Sequence, residues 1–403
     1  MTQTGGIHQP MQHPLHVSGA QTNTTEAWVL HNLKSNCGRP AGLQLEKFDL
    51  GPLGDEEVLV EPLYGCWEGN MGHAVARKPI DVAASRGEER AVVGNSGVVR
   101  VLKPGAHVTN VREGDVCIMC SGVWDAHGFS KYAFAYDAPG TVGILAKRTK
   151  MSHRQLIKVP TDSRFSLQQW APFTVRYITA WSNWNAASKC WRALSPADNG
   201  EQPHVWGWGG GTAFAELTLA KLQGFCTALI SSDPKRLAMI EAAGITPIDR
   251  SAFAGLQYDE MRIIADPAYA ERYRLAEQRF VAIAKQGTDG RGVSIFVDHL
   301  GGNVTHATVK ALARPGVITT SGWKTGMKIA TNRAMACMQW QTHVHTHYSR
   351  YGEGGAAVAF AEEHGWVPPE PETVYAWDQI PQLAADYAAG SISSYFPLFK
   401  VND

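Results

Sequence analysis

A cluster of glycines marks the stretch of this sequence best suited to chemistry. Residues 204–225 read HVWGWGGGTAFAELTLAKLQGF, with five glycines, four of them between an apolar run and a helix-like stretch. A strand, a glycine-rich turn and a helix form the setting in which backbone N–H groups and a helix N-terminus hold a pyrophosphate. In this interpretation Gly207 allows the tight turn, Gly210 the approach of the phosphate, and Ala213 the close packing of helix on strand. The other predicted cofactor-binding residues of the turn are Gly209, Gly211 and Thr212.

The next apolar run ends in residues that bear on which dinucleotide binds. The segment LISSDPKR places Ser231 and Ser232 at the predicted strand end, followed by Lys235 and Arg236. Hydroxyl donors and positive charges suit the 2′-phosphate of NADPH. Asp233 favours NAD instead, because a carboxylate there can accept a hydrogen bond from the ribose 2′-hydroxyl of NAD. The two cations are also what a solvated helix face would carry, but the pattern favours NADPH.

The elements around these motifs alternate between strand and helix from residue 203 to residue 343. The predicted strands are 204–207, 226–231, 246–249, 293–298, 316–322 and, as a sixth, 335–343. The predicted helices are 212–223, 234–245, 268–286 and 303–313. Such alternation predicts a parallel sheet covered by helices on both faces, which is a doubly wound α/β fold.

The preceding part of the chain has a different character. From about residue 26 to 170 it reads as short β-rich pieces separated by glycine and proline. A chain of 403 residues is also too long for one ordinary core. We therefore predict two domains, preceded by a flexible arm at residues 1–25, which are polar and lack the pattern of a secretory signal.

Composition limits the partners. Lys+Arg and Asp+Glu both number 37, so the formal net charge is zero and bulk electrostatics do not favour nucleic acid or a membrane surface. No apolar run reaches the ~18 residues of a membrane span. Seven scattered cysteines, an odd number, fit a reduced cytoplasmic protein better than a disulfide scaffold.

Six segments together resemble the medium-chain dehydrogenase/reductase superfamily: GPLGDEEVLVEPLYG, VVGNSGVVRVLKPGAHVTNVREGDVC, APFTVRYITAW, HVWGWGGGTAFAEL, VSIFVDHLGG and PGVITTSG. Four segments are most similar to the crotonyl-CoA carboxylase/reductase branch of this superfamily. They are the glycine-rich turn with the helix that follows it, ALISSDPKR, the long stretch 249–285 and QTHVHTH. The resemblance implies a GroES-like catalytic domain at residues 26–173 and 348–403 around a Rossmann domain at residues 174–347. It also implies a homodimer or a dimer of dimers, joined through the edge strand 335–343.

The chain departs from the zinc-dependent members of that superfamily. Their Gly-x-Cys, Gly-His-Glu and later Cys pattern falls here on Trp67, Asn95 and Ala171, so none of the three positions carries a His, Cys or carboxylate ligand for zinc. Cys117 and Cys120 lack the second pair of a structural zinc lobe. We therefore predict a zinc-free protein. Zinc-free members mostly reduce activated double bonds, and that chemistry needs a placed nicotinamide, donors for an enolate oxygen and a proton source.

Three residues are predicted to be catalytic. Glu68 and Asn70 lie in the loop YGCWEGN, where the superfamily carries variable polar groups on the substrate side. The alternatives are a solvated carboxylate for Glu68 and a turn residue for Asn70. The carboxylating reductases have an Asn-Tyr-Asn run in this loop, so the resemblance leaves CO₂ fixation open. His343 matches a histidine of the reductase branch near bound substrate. A metal site with its neighbours at 345 and 347, or a purely structural role, remains open.

The resemblance also implies where the nicotinamide lies. Thr174 and Thr179 match a T-x-x-x-x-T-A run that lines the cofactor, and Arg176 between them would meet an acidic group of the substrate. Asp298 closes the fourth strand at the carboxyl edge of the sheet, although capping the next helix is an equal alternative. Ser321 and Gly322 follow the fifth strand at the same edge.

The predicted function is therefore NADPH-dependent reduction of an α,β-unsaturated thioester, CoA- or carrier-bound, or of a related enone. Two alternatives remain. One is a quinone or aldehyde reductase of the same superfamily. The other is a cofactor-binding protein without turnover, because the departures at 66–70 and 94–96 also fit a loss of catalysis.

Overall fold

The computed structural model describes residues 23–35, 38–195, 202–322, 334, 336–346 and 348–403. Most of the predicted arm and the histidine at position 347 lie outside these residues. The first strand already begins at Thr24, inside the predicted arm. Within the described residues, no helix is long and apolar enough to cross a membrane.

The first part of the chain is rich in short strands, as predicted. They are β1 Thr24–His31, β2 Gln44–Asp49, β3 Glu57–Cys66, β4 Arg90–Ala91, β5 Gly97–Pro104, β6 Val116–Met119, β7 Gly122–Trp124, β8 Ser130–Ala133, β9 Thr149–Ser152 and β10 Leu156–Lys158. The helices among and after them are α1 Gly69–Ala76, α2 Val82–Arg86, α3 Leu167–Trp170 and α4 Ile178–Leu194, with a π-helical turn Phe173–Tyr177 directly before α4.

The nucleotide-binding part alternates strands and helices. Its strands are β11 His204–Trp208, β12 Cys226–Ser231, β13 Thr246–Asp249, β14 Val293–Asp298, β15 Leu312–Thr320 and β16 Thr342–Thr346. Its helices are α5 Gly211–Leu222, α6 Pro234–Ala242, α7 Glu260–Ala265, α8 Pro267–Gln286 and α9 Thr305–Ala311. The strands form one six-stranded sheet in the order β13-β12-β11-β14-β15-β16, and every pairing in it is parallel. The predicted doubly wound fold is confirmed.

The sixth strand lies further along the chain than predicted. Residues Ala336–Trp340 form a π-helical turn, and β16 begins only at Thr342. The apolar residues of this segment favour a strand, but Ala336–Trp340 are half-buried or exposed and do not pair with β15, and position 335 lies outside the described residues. His343 does lie on the edge strand, where it is level with Val317 of β15.

The end of the chain returns to the β-rich part. After α10 (Glu353–His364), the strands β17 Val374–Tyr375 and β18 Leu398–Lys400 flank α11 (Ile380–Ala389). β18 pairs with β3, which places the last residues inside a seven-stranded sheet of order β10-β6-β5-β3-β18-β17, with β9 also on β3. The C-terminal segment therefore completes the β-rich sheet, as the resemblance implied.

The two parts share a hydrophobic core. One cluster of buried side chains includes Cys66 and Val98 of the β-rich sheet together with Phe173, Phe214 and Phe396. Burial of this apolar surface holds the β-rich sheet against the nucleotide-binding part. The contact brings the loop after β3 close to the glycine-rich turn after β11.

Candidate functional site

The turn after β11 has the geometry of an anion-binding helix start. Gly209 has φ +135°, a conformation that residues with a side chain rarely adopt. α5 begins at Gly211, and its N-cap residue is Gly210, which has no side chain to cap the first N–H groups. Uncapped N–H groups at a twelve-residue helix carry partial positive charge and offer hydrogen bonds to an anion.

The glycines of the turn serve different purposes. Gly207 lies inside β11, so its predicted role in the tight turn was wrong, and Gly209 takes that role. A Cβ on Gly207 would lie 3.0 Å from the side chain of Leu217, so the residue lets α5 pack closely on the strand. A Cβ on Gly211 would lie 2.8 Å from the carbonyl oxygen of Tyr395. Among the glycines of this turn, Gly210 has the most open space around it. A Cβ there would meet only Nη1 of Arg176 within 4 Å, at 3.7 Å.

Three loops of the β-rich part converge beside this turn. The N–H of Cys66 donates to the carbonyl oxygen of Ser96 (2.9 Å), and the Ser96 hydroxyl donates to the carbonyl oxygen of Ala171 (3.2 Å). In the resemblance described above, the zinc-ligand positions of the superfamily fall on these three segments, and the structure brings the segments together. The side chains there are Trp67, Asn95 and Ala171, all buried. Burial also raises the pKa of the Cys66 thiol well above its usual value, which disfavours the thiolate that a metal needs.

We expect the purified protein to carry well under one zinc per chain and to keep its activity in the presence of a chelator. Among the residues that the structure describes, no group of three His, Cys, Asp or Glu side chains could hold a metal ion. Metal analysis and a chelator-treated assay would check this. Stoichiometric zinc together with loss of activity on chelation would contradict it.

Glu68 is buried rather than solvated. Its carboxylate lies 2.6 Å from Nε of Arg176, and the two side chains are 2% and 10% exposed. Nη2 of Arg176 also donates to the carbonyl oxygen of Trp67 at 3.2 Å. Burial raises the pKa of the Glu68 carboxyl, and Arg176 acts against that shift. Burial alone would lower the pKa of Arg176, but the Glu68 carboxylate outweighs it and keeps the guanidinium charged.

Asn70 and His343 have contrasting surroundings. Asn70 lies in the first turn of α1, two residues after Glu68, and its side-chain Oδ1 is buried with no hydrogen-bond partner in the part of the chain that the structure describes. His343 is exposed on β16, and no hydrogen bond joins it to Glu68 or Asn70 in the described part of the chain. Glu68 and Asn70 are two positions apart at the start of α1, whereas His343 lies on the edge strand of the other sheet.

The residues predicted to line the nicotinamide lie on the elements that border the glycine-rich turn after β11. Thr174 is buried in the π-helical turn and accepts a hydrogen bond from the N–H of Gly97 at 3.3 Å. Thr179 is buried in the first turn of α4. Asp298 ends β14 level with Trp208 of β11, and it accepts bonds from the N–H groups of the next turn. Burial raises the pKa of the Asp298 carboxyl, and those N–H groups oppose the shift.

The buried side chains of His299 and Glu216 meet at the same edge of the sheet, a contact that sequence reasoning did not predict. Nε2 of His299 lies 3.2 Å from the carboxylate of Glu216 on α5, and the N–H of Ser321 donates to Nδ1 of His299 at 3.2 Å. Because Nδ1 accepts a bond, the ring proton is on Nε2 and faces Glu216. A Cβ on Gly322 would lie 2.3 Å from the His299 carbonyl oxygen. His299 thus joins the turn after β14 to α5 and to the end of β15.

The end of β12 carries the residues predicted for the 2′-phosphate. Ser232 and Lys235 are exposed there, while Ser231 is half-buried. Asp233 caps α6 by accepting from the N–H groups of Lys235 and Arg236, so its carboxylate has a structural use. Nε and Nη2 of Arg236 donate to the carbonyl oxygens of Ser393 and Ile392. Arg236 therefore ties α6 to the C-terminal segment, and its role toward a phosphate stays a prediction.

The residues around the turn fit a dinucleotide. Helix α5 offers uncapped N–H groups, Gly210 leaves room above the turn, and Arg176 supplies positive charge. Buried polar atoms that lack a partner in the described residues lie on the neighbouring loops and strand end, where a polar ligand would satisfy them. They belong to Glu68, Asn70, Asn95 and Thr320.

Solved structures share this fold. A crotonyl-CoA carboxylase/reductase solved in complex with NADP matches with a TM-score of 0.76 at 18% sequence identity, covering 94% of each chain. A 2-octenoyl-CoA carboxylase reductase from Streptomyces sp., solved with NADP and 2-octenoyl-CoA, gives a TM-score of 0.75 at 19% identity, covering 94% of this chain and 87% of that one. A thermostable alcohol dehydrogenase from Pyrobaculum aerophilum gives a TM-score of 0.68 at 17% identity, covering 94% and 99%. No protein-family model and no curated protein sequence matches the chain.

Proposed function

We propose that this protein is an NADPH-dependent reductase of an α,β-unsaturated thioester or a related enone, and that it works without zinc. The observation that carries the proposal is the convergence of three segments, with Trp67, Asn95 and Ala171 at the positions compared with zinc ligands, beside a glycine-rich helix start. The likeness in fold to two enoyl-CoA carboxylase reductases solved with NADP, one of them also with its acyl-CoA, supports it.

The chemistry divides between cofactor and protein. Bound NADPH would supply a hydride for the β-carbon of the substrate. The protein would hold the dinucleotide at the turn after β11, with Thr174, Thr179, Asp298, Ser321 and Gly322 on the nicotinamide side. Side-chain and backbone donors of the cleft would stabilise the enolate oxygen that forms at the thioester carbonyl.

Asn70 is the best placed of the predicted substrate-side groups. It is next to the buried Glu68–Arg176 pair, and its amide has an unused buried atom. An amide can turn either its oxygen or its NH₂ group toward a ligand. With the amide turned by 180°, the NH₂ group of Asn70 would take the place of the unpartnered Oδ1 and would donate to the enolate oxygen.

The function is tested by mixing the protein with NADPH and a panel of enoyl-CoA thioesters, enones, quinones and aldehydes while following the nicotinamide absorbance. We expect oxidation of NADPH with an enoyl thioester or enone. Turnover with quinones or aldehydes alone would favour the alternative reductase activity. Tight NADPH binding with no oxidation by any compound would favour a binding protein without turnover.

We expect the protein to prefer NADPH over NADH through Lys235 and the serines at the end of β12. Because two nitrogens of Arg236 are already bonded to backbone carbonyls, Lys235 is the freer cation. Lys235→Ala should cost about 1–3 kcal/mol of the preference, as for one charge-assisted hydrogen bond. Titration of both cofactors would check this, and tighter NADH binding by the unmutated protein would show the interpretation to be wrong.

We also propose that β16 is an interface between two copies of the chain. β16 is the outer strand of the six-stranded sheet, and Val344 on it is exposed. Unpaired edge strands invite pairing, and a two-fold axis can extend the sheet into a second copy. We expect a homodimer or dimer of dimers by light scattering, and a clean monomer at micromolar concentration would refute it. A cytoplasmic location stays a prediction.

A further inference from the structure

Arg176 places a buried guanidinium against the glycine-rich turn. Its Nη1 would lie 3.7 Å from a Cβ on Gly210 and 3.0 Å from one on Gly211. Its other two nitrogens are held by the loop after β3, with Nε at the Glu68 carboxylate and Nη2 at the Trp67 carbonyl oxygen. The guanidinium is therefore fixed on two sides and faces the turn on the third.

We propose that Arg176 binds the pyrophosphate of the cofactor and that Glu68 is a positioning residue that holds the guanidinium in place. This assignment rests on the proposed function. A planar guanidinium with fixed orientation suits phosphate oxygens, and ordering it before the ligand arrives reduces the entropy lost on binding. The uncapped N–H groups of α5 approach the same space from the other side.

The geometry favours the pyrophosphate over an acidic group of the substrate, which the sequence analysis had predicted for Arg176. The nitrogen that faces outward from the ion pair lies at Gly210 and Gly211, at the helix start. A substrate acid would have to enter the space above this turn, where the dinucleotide itself needs to lie. Arg176 therefore acts on the cofactor.

The pair also links the two domains. Glu68 follows β3 of the β-rich sheet, whereas Arg176 precedes α4, which packs against α5 of the nucleotide-binding part. The Glu68 carboxylate balances the guanidinium in a buried place. Without Arg176, the carboxylate would be left beside the phosphates and would repel them.

This charge arrangement predicts effects of opposite sign for two substitutions that each remove one charge of the pair. Arg176→Gln leaves an unbalanced carboxylate and should weaken NADPH binding about tenfold to a hundredfold. Glu68→Gln keeps a side-chain oxygen beside Nε that can still position the guanidinium, but it removes the negative charge near the phosphates, so NADPH should bind more tightly than to the unmutated protein. The double variant should recover part of the loss. A purely structural ion pair would instead make both single variants weaker.

The experiment is a fluorescence titration of the full chain with NADPH, and with inorganic pyrophosphate as a competitor, for the unmutated protein and these variants. Arg176→Lys keeps the positive charge but loses the planar guanidinium with its paired N–H donors. Its affinity for NADPH should lie between those of Arg176→Gln and the unmutated protein. Thermal unfolding of each variant identifies any that fails to fold, and Glu68→Gln and Arg176→Lys then carry the test.

The outcomes separate this assignment from the proposed function. Equal weakening by both single variants, unchanged NADPH affinity in Arg176→Gln, or a change confined to the KM of the enoyl thioester overturns the role of Arg176. In those cases NADPH binding and turnover by the unmutated protein leave the reductase activity standing. If the unmutated protein binds neither NADPH nor pyrophosphate, the proposed function and the assignment both fall.

Discussion

Asn70→Ala should lower turnover on the true substrate by about a hundredfold and leave NADPH affinity nearly unchanged. The amide lies in the first turn of α1, two residues after Glu68, and its Oδ1 is buried with no hydrogen-bond partner among the described residues, so the turned amide could place its NH₂ group there as a donor. A donor aimed at the enolate oxygen contributes mainly in the transition state, so kcat should fall more than KM rises. Steady-state kinetics with a cofactor titration measure both effects.

Asn70→Asp is the matched variant, because it keeps the shape of the side chain while it removes the donor and adds negative charge. It should be at least as slow as Asn70→Ala. The sequence also favours a role of the same kind for His343, but that side chain is exposed on β16. We therefore expect a smaller loss from His343→Ala. Full rate in both Asn70 variants would show that another group stabilises the enolate.

Gly210→Ala should weaken NADPH binding by about tenfold or more while the fold stays intact. A Cβ at this position meets only Nη1 of Arg176, at 3.7 Å, which is an ordinary contact. The methyl group would nevertheless occupy the space through which a phosphate reaches the N–H groups of α5. Cofactor titration and thermal unfolding of the same preparation separate the two effects.

Two other glycines supply the controls for this substitution. A Cβ on Gly355 of α10 would meet no atom within 4 Å, so Gly355→Ala should leave NADPH binding unchanged and should not lower the stability. At Gly211 a Cβ would lie 2.8 Å from the Tyr395 carbonyl oxygen, so Gly211→Ala should lower the stability as well. Unchanged NADPH affinity in Gly210→Ala would mean that the phosphate does not lie above this turn.

The sequence predicted the nucleotide-binding sheet well because its signals are local. Each buried strand is a short apolar run, and α6 and α8 each begin with an Asp cap followed by proline, at Pro234 and Pro267. The sixth strand was predicted too early in the chain, at 335–343, whereas β16 begins at Thr342. A short run of apolar residues does not by itself distinguish a strand from a helical turn.

The site was harder to predict because its decisive contacts join distant parts of the chain. Glu68 and Arg176 are 108 positions apart in sequence, and Glu216 and His299 are 83 apart. An isolated carboxylate in a loop looks solvated until its partner is known. A glycine inside β11 was likewise interpreted as part of the turn, because spacing alone does not show where the strand ends. The one usable signal was Arg176 itself, an unusual charge between two threonines of an otherwise apolar helix start.

The most direct test of the account follows the hydride. The protein would be given an enoyl thioester and NADPH carrying deuterium at the transferable position of the nicotinamide, and the product would be examined by mass spectrometry and NMR. The account predicts a saturated thioester with one deuterium on the β-carbon and a solvent-derived proton on the α-carbon. Deuterium on a carbinol carbon, or an unlabelled product, would contradict hydride transfer to the β-carbon.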